Sequence, residues 1–160
     1  MNLSFLSAIF SVAFSMPLNG RIQNRPVQVY SKTGQFMAIR NSGRVVPNRK
    51  RNSMATIIEK VSMDINIFVL RGVSTGLYVK VLSNGKIRGT PFKNQATEFT
   101  EKFLNENNFT SFRLSERSNC NLTISRKSFR VSCRPKSISK ISFLSRTVHL
   151  PKNIHIGNYF

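Results

Sequence analysis

One segment of this chain repeats another, and the spacing of that repeat restricts the available folds more than any other feature. Residues 33–45, TGQFMAIRNSGRV, align without a gap on residues 75–87, TGLYVKVLSNGKI, at an offset of 42. Thr33/Thr75, Gly34/Gly76 and Gly43/Gly85 are identical, while Phe36/Tyr78, Ile39/Val81 and Val45/Ile87 stay apolar at the same phase. Each copy reads as a β-hairpin, because a short alternating run ends in a polar turn whose glycine supplies the positive φ that hairpin turns demand. Residues 122–131, LTISRKSFRV, form a degenerate third copy in which Ser128 stands at the turn glycine. The third turn must therefore tolerate a side chain or change type.

Strand-like runs lie between and beyond the hairpins, at residues 57–61, 65–70, 99–103, 110–114 and 141–144, and no long helical pattern interrupts them. Three units of similar length with four strands each argue for an all-β chain, a β-trefoil of about 12 strands. In the third hairpin, pairing Ile124 with Phe129 places Cys120 opposite Cys133. Facing residues are close enough for a disulfide after small adjustment. The two cysteines match no metal-ligand spacing, so a disulfide and a pair of free thiols are both open.

A chain of 160 residues suits one domain. Its 25 Lys and Arg against 6 Asp and Glu leave a net charge of +19, which points to a polyanionic partner. Nucleic acid, anionic membrane and sulfated glycan all reward such charge through counterion release, so compartment must decide among them. Residues 2–15 are uncharged and mostly apolar, and small residues at Ala13 and Ser15 suit cleavage after Ser15. The run is far shorter than the ~20 residues a membrane span needs and reads as a signal peptide. The expected organisation is a signal peptide at 1–15, an N-terminal segment at 16–26, the trefoil at 27–148 and a tail at 149–160, in a secreted, extracellular protein. The sequons at Asn108 and Asn121 are compatible with N-glycosylation of a secreted surface.

The stretch 71–89, RGVSTGLYVKVLSNGKIRG, resembles the central hairpin of the fibroblast growth factors. Gly85-x-Ile87-x-Gly89 followed by Phe99-Thr100-Glu101 resembles the family signature, with Thr97 where the family has cysteine, and Val29 to Gly34 resembles its first strand and turn. The likeness extends over about residues 27–148 and marks a divergent member. It implies a fibroblast growth factor receptor, a receptor tyrosine kinase, as partner, with heparan sulfate as co-receptor, as monomer or glycan-bridged dimer. Carried over singly, Tyr30, Glu101, Asn107, Phe109 and Leu144 fall on receptor-contact positions. Phe109 has the ring without a hydroxyl, and Arg146 replaces an apolar residue.

Residues 126–140 hold six cations, Arg126, Lys127, Arg130, Arg134, Lys136 and Lys140. They lie where the resemblance implies the heparin loop, and Thr33 resembles a further sugar-reaching position. Guanidinium forks bind sulfate oxygens bidentately, while lysines act as point charges. A second basic run, Arg49 to Arg51, either extends that surface or is simply solvated. Catalysis has little support, since a nucleophile needs a base beside it and an orienting group behind. The only histidines, His149 and His155, lie in the tail, and no phosphate-loop, dinucleotide or zinc motif occurs, so neither cofactor nor metal is expected. Two other readings compete: a β-trefoil lectin or protease inhibitor, and a basic nucleic-acid-binding protein.

Overall fold

The structure, a computed structural model, describes residues 24–104 and 108–150. The expected signal peptide, most of segment 16–26, residues 151–160 of the tail and Asn107 lie outside the described residues. Twelve strands follow in order: β1 Arg25–Ser31, β2 Phe36–Ile39, β3 Val45–Asn48, β4 Ile58–Asp64, β5 Ile67–Gly72, β6 Tyr78–Val81, β7 Ile87–Thr90, β8 Phe99–Phe103, β9 Thr110–Leu114, β10 Asn121–Ile124, β11 Phe129–Ser132 and β12 Phe143–Thr147. The helices among the described residues are three single 3-10 turns, Met54–Thr56, Lys93–Gln95 and Ile138–Lys140.

Six strands close an antiparallel ring in which β1 pairs β4, β4 pairs β5, β5 pairs β8, β8 pairs β9, β9 pairs β12 and β12 returns to β1. The other six form the hairpins β2–β3, β6–β7 and β10–β11, each joined to the ring through β1, β5 or β9. This barrel with three like hairpins is the β-trefoil that the repeat argues for. Closure of the ring leaves it no free edge. The Val148 N–H donates to the Pro26 carbonyl at 3.0 Å and ties the two ends of the trefoil together.

Alternation along the strands sends one set of side chains inward, and phenylalanine dominates that set. Phe99, Phe112 and Phe143 are wholly buried, with Phe68 and Phe129 nearly so. The Phe112 ring meets Phe68 edge-on at 5.3 Å and stacks on Phe143 at 5.7 Å. Offset and edge-to-face geometries of this kind add to the stabilisation from apolar burial. Met37, Ile39, Val79, Leu122 and Ile124 extend the same core into the hairpins.

One local reading needs correction, and an alternative left open at the third turn is decided. The last strand begins at Phe143, not at residue 141, because Ile141 completes the preceding turn by donating its N–H to the Ile138 carbonyl at 3.1 Å. Ser142 Oγ caps that turn with a 2.7 Å bond to the same carbonyl. The third hairpin changes turn type through a deletion: residues 40–44 and 82–86 link the first two strand pairs, whereas the shorter segment 125–128 links the third. In the first two turns Gly43 and Gly85 adopt φ of +76° and +75° and donate their N–H groups to Arg40 and Leu82. In the third, the Ser125 hydroxyl takes the Ser128 N–H at 3.2 Å, and no residue of the turn has positive φ.

Candidate functional site

Four of the five expected receptor-contact residues come together around β12. Tyr30 on β1 lies directly across from Leu144 on β12, both half-buried, and its ring packs on Phe36 at 4.9 Å. Phe143, next to Leu144, pairs with Thr110 of β9, whose chain neighbour Phe109 is half-buried beneath the Lys32 ammonium, 5.8 Å from the ring centre. Glu101 on β8 reaches the same place, since Thr110 Oγ1 donates to its Oε1 at 2.7 Å. Its other oxygen, Oε2, accepts from Lys60 Nζ at 2.5 Å, and that ammonium also sits over the Phe68 and Phe112 rings. Both Glu101 oxygens are thus engaged within the chain, and an external arginine would use the lone pairs left over. The exposed apolar side chains of Phe103 and Ile138 line a cavity with Lys32 and Arg113. Sequence reasoning missed Phe103, although its outward phase on β8 was available.

The basic residues fall in more than one neighbourhood. All seven expected glycan residues, Thr33, Arg126, Lys127, Arg130, Arg134, Lys136 and Lys140, are exposed. The loop carrying Thr33 is tied to the end of the 134–142 segment by a 3.0 Å bond from the Lys32 N–H to the Ser142 carbonyl. Thr33 is fixed in turn by its hydroxyl, 2.7 Å from Ser31 Oγ. Lys127 and Arg130, by contrast, line a cavity where the three hairpins meet, together with Arg44, Lys86 and Arg88. Sequence analysis overlooked these last three, yet a signal existed: Arg44 and Lys86 are the basic pair at one position of the repeat. Arg51 of the second basic run faces elsewhere, into a cavity with Gln28, Arg146 and His149.

Cys120 and Cys133 are joined by a disulfide, in a hairpin whose register pairs Ile124 with Phe129 and Asn121 with Ser132. Asn121 requires a correction. It is only 6% exposed on β10, between β9 and β11, and its amide nitrogen donates to the Asn119 carbonyl at 3.3 Å. A glycan needs that nitrogen at the surface, so the folded chain does not present this sequon. Asn108 is exposed, with a left-handed φ of 60°. Its sequon threonine, Thr110, is buried and bonded to Glu101. Among the described residues no group of three metal-capable side chains occurs.

Fold and surface together define a basic β-trefoil that carries its candidate contacts on strand faces and hairpin loops. A sequence model described as Fibroblast growth factor matches residues 25–142, well over half of the chain. The chain belongs to the fibroblast growth factor family. It is similar to Fibroblast growth factor 3 of Xenopus laevis, at 26% identity over 85 residues that make up 53% of this chain and 35% of that protein. The matched part thus spans about a third of that relative's length.

Proposed function

We propose that this chain is a secreted, non-enzymatic growth-factor ligand that binds a receptor tyrosine kinase ectodomain of the fibroblast growth factor receptor type together with heparan sulfate, and signals proliferation, migration or differentiation. Family membership supports the ligand class. The observation that carries the finer reading is the gathering of Tyr30, Leu144, Phe109 and Glu101 around β12, although they come from three separate stretches of the chain. Aromatic and apolar anchors beside a half-buried carboxylate are the chemistry of an interface centre. The exposed cations of 134–140 and Thr33 supply a neighbouring surface for sulfates.

The test uses full-length protein applied to responding cells, with receptor tyrosine phosphorylation as the readout. Tyr30→Ala with Leu144→Ala is expected to lower potency at least about tenfold, the effect of losing two interface anchors, while the protein still elutes from heparin at unchanged salt. Unchanged potency in that variant would refute the receptor face. Release from heparin and from a plain cation exchanger at the same salt would reduce the glycan reading to bulk charge.

A further inference from the structure

The pseudo-threefold symmetry fails where the three hairpins converge, and the failure opens a cavity. Arg44 of the first hairpin bridges Arg88 of the second, and Lys86 of the second bridges Arg130 of the third. Equivalent backbone bonds accompany these bridges, from the Gly89 N–H to the Gly43 carbonyl at 2.6 Å and from the Val131 N–H to the Gly85 carbonyl at 2.8 Å. The repeat puts residue 47 in the third donor position, and residue 47 is proline, which has no N–H. The third turn is also one residue short, and uncharged Ser128 stands just before its strand where Arg44 and Lys86 stand before theirs. Two of the three seams are therefore stitched. Beside the open one lies a cavity of about 330 Å³ lined by all three hairpins.

Charge at this pole is arranged at a cost to the free protein. The two bridges set Arg44 opposite Arg88 and Lys86 opposite Arg130, and Lys127 adds a fifth cation. Like charges directly across a strand pair destabilise it. All five side chains are exposed, and neither described ion pair, Lys60–Glu101 or Arg71–Glu59, involves them. Below them the lining turns apolar, with Val45, Ile87 and Phe129 at 4%, 8% and 2% exposure. A cationic rim around a small apolar floor suits a ligand with charged edges and a C–H face.

We propose that this cavity binds a compact polyanion, a six-membered ring carrying several phosphate or sulfate monoesters. Its size matches the lower end of small-ligand sites. Arginine forks at Arg44, Arg88 and Arg130 would take oxygens of the ester groups bidentately, and the ring face would rest on the apolar floor. The bound anion would also neutralise the facing like-charge pairs. This site shares only Lys127 and Arg130 with the expected glycan residues, and its Arg44, Lys86 and Arg88 lie outside residues 126–140. The same chemistry has two sources, a phosphorylated cyclitol and a sulfated sugar unit.

Calorimetric titration of the full chain with myo-inositol hexakisphosphate, and separately with a trisulfated heparin disaccharide, tests the site. At least one probe is expected to bind one to one, at least about tenfold more weakly to Arg44→Ser/Lys86→Ser/Arg88→Ser, as loss of charge-assisted bonds requires. Arg134→Ser/Lys136→Ser/Lys140→Ser is expected to keep that affinity within about twofold while eluting earlier from heparin. The probe that binds identifies the source. Failure of both to bind, or equal loss in the two triple variants, overturns the proposal. The single variant Arg88→Ser, expected to weaken binding about threefold, provides the same comparison should the triple variant unfold. Cell signalling enters none of these readouts, so failure here is separable from failure of the receptor reading.

Discussion

Gly85 answers to two constraints at once. Its φ of +75° disfavours any side chain, and an added Cβ would stand 2.7 Å from the Val131 carbonyl oxygen of the neighbouring hairpin. Gly43 shares the first constraint at +76° but is less crowded, 3.3 Å from the Gly89 carbonyl. Left-handed backbone costs a side-chain residue about 1–2 kcal/mol. Gly43→Ala should therefore lose about that much, and Gly85→Ala about 3 kcal/mol or more because the hairpins must also separate. Urea unfolding midpoints compare them, and equal losses would show that the seam yields freely. A second residue-scale prediction concerns Lys60 and Glu101, each 22% exposed. Lys60→Met keeps the stem over the phenylalanines but strips the carboxylate of its cation, at about 1–2 kcal/mol. Adding Glu101→Gln should recover part of that loss, and strict additivity in a double-mutant cycle would refute the coupling.

Among the elements, the third hairpin departs furthest from its siblings. It lacks their left-handed turn residue and relies on the Ser125 hydroxyl, while the Cys120–Cys133 bond crosslinks the chain beyond its strands. The two cysteines are 13 residues apart, so the crosslink should contribute about 3 kcal/mol by restricting the unfolded chain. Cys120→Ala/Cys133→Ala is expected to lose that much in thermal or urea unfolding, and a loss below about 1 kcal/mol would show that β10–β11 packing holds the hairpin unaided. The sequence left open whether the two cysteines bond, but their facing was legible beforehand, because one cross-strand pair fixes every other in an antiparallel ladder. The shortened turn was not: matching Ser128 to Gly85 conceals a missing residue behind a one-residue change of offset. Strands β8 and β9 were readable end to end from alternation, whereas β12 was expected to start two residues early, since Ile141 and Ser142, which follow the 3-10 turn, continue the apolar–polar alternation of the strand.

For the whole molecule the governing quantity is a net charge of +19 on 160 residues. Self-repulsion of that size opposes compactness, and added salt screens it over a Debye length of about 10 Å at 0.1 M. Raising sodium chloride from about 0.02 to 0.2 M should lift the melting temperature by about 3–5 °C, equivalent to about 1 kcal/mol. A fall on adding salt would mean that attractive pairs outweigh repulsion. The candidate receptor face was legible only residue by residue through resemblance, because Tyr30 and Leu144 are distant in sequence and meet only when β12 closes the barrel on β1. Asn121 was misjudged for a related reason, since a sequon carries no sign of which strand will cover it.

The repeat, the alternation and the hairpin register determined the trefoil and the facing of the two cysteines, because each depends on interactions among residues near in sequence or on a period written along the chain. The tertiary structure alone decided which cations share a neighbourhood. Arg44, Arg88 and Arg130 meet through contacts around the pseudo-threefold axis, between hairpins some forty residues apart. Such neighbours are set by closure of the barrel, and by the one seam that a proline and a lost turn residue leave unstitched.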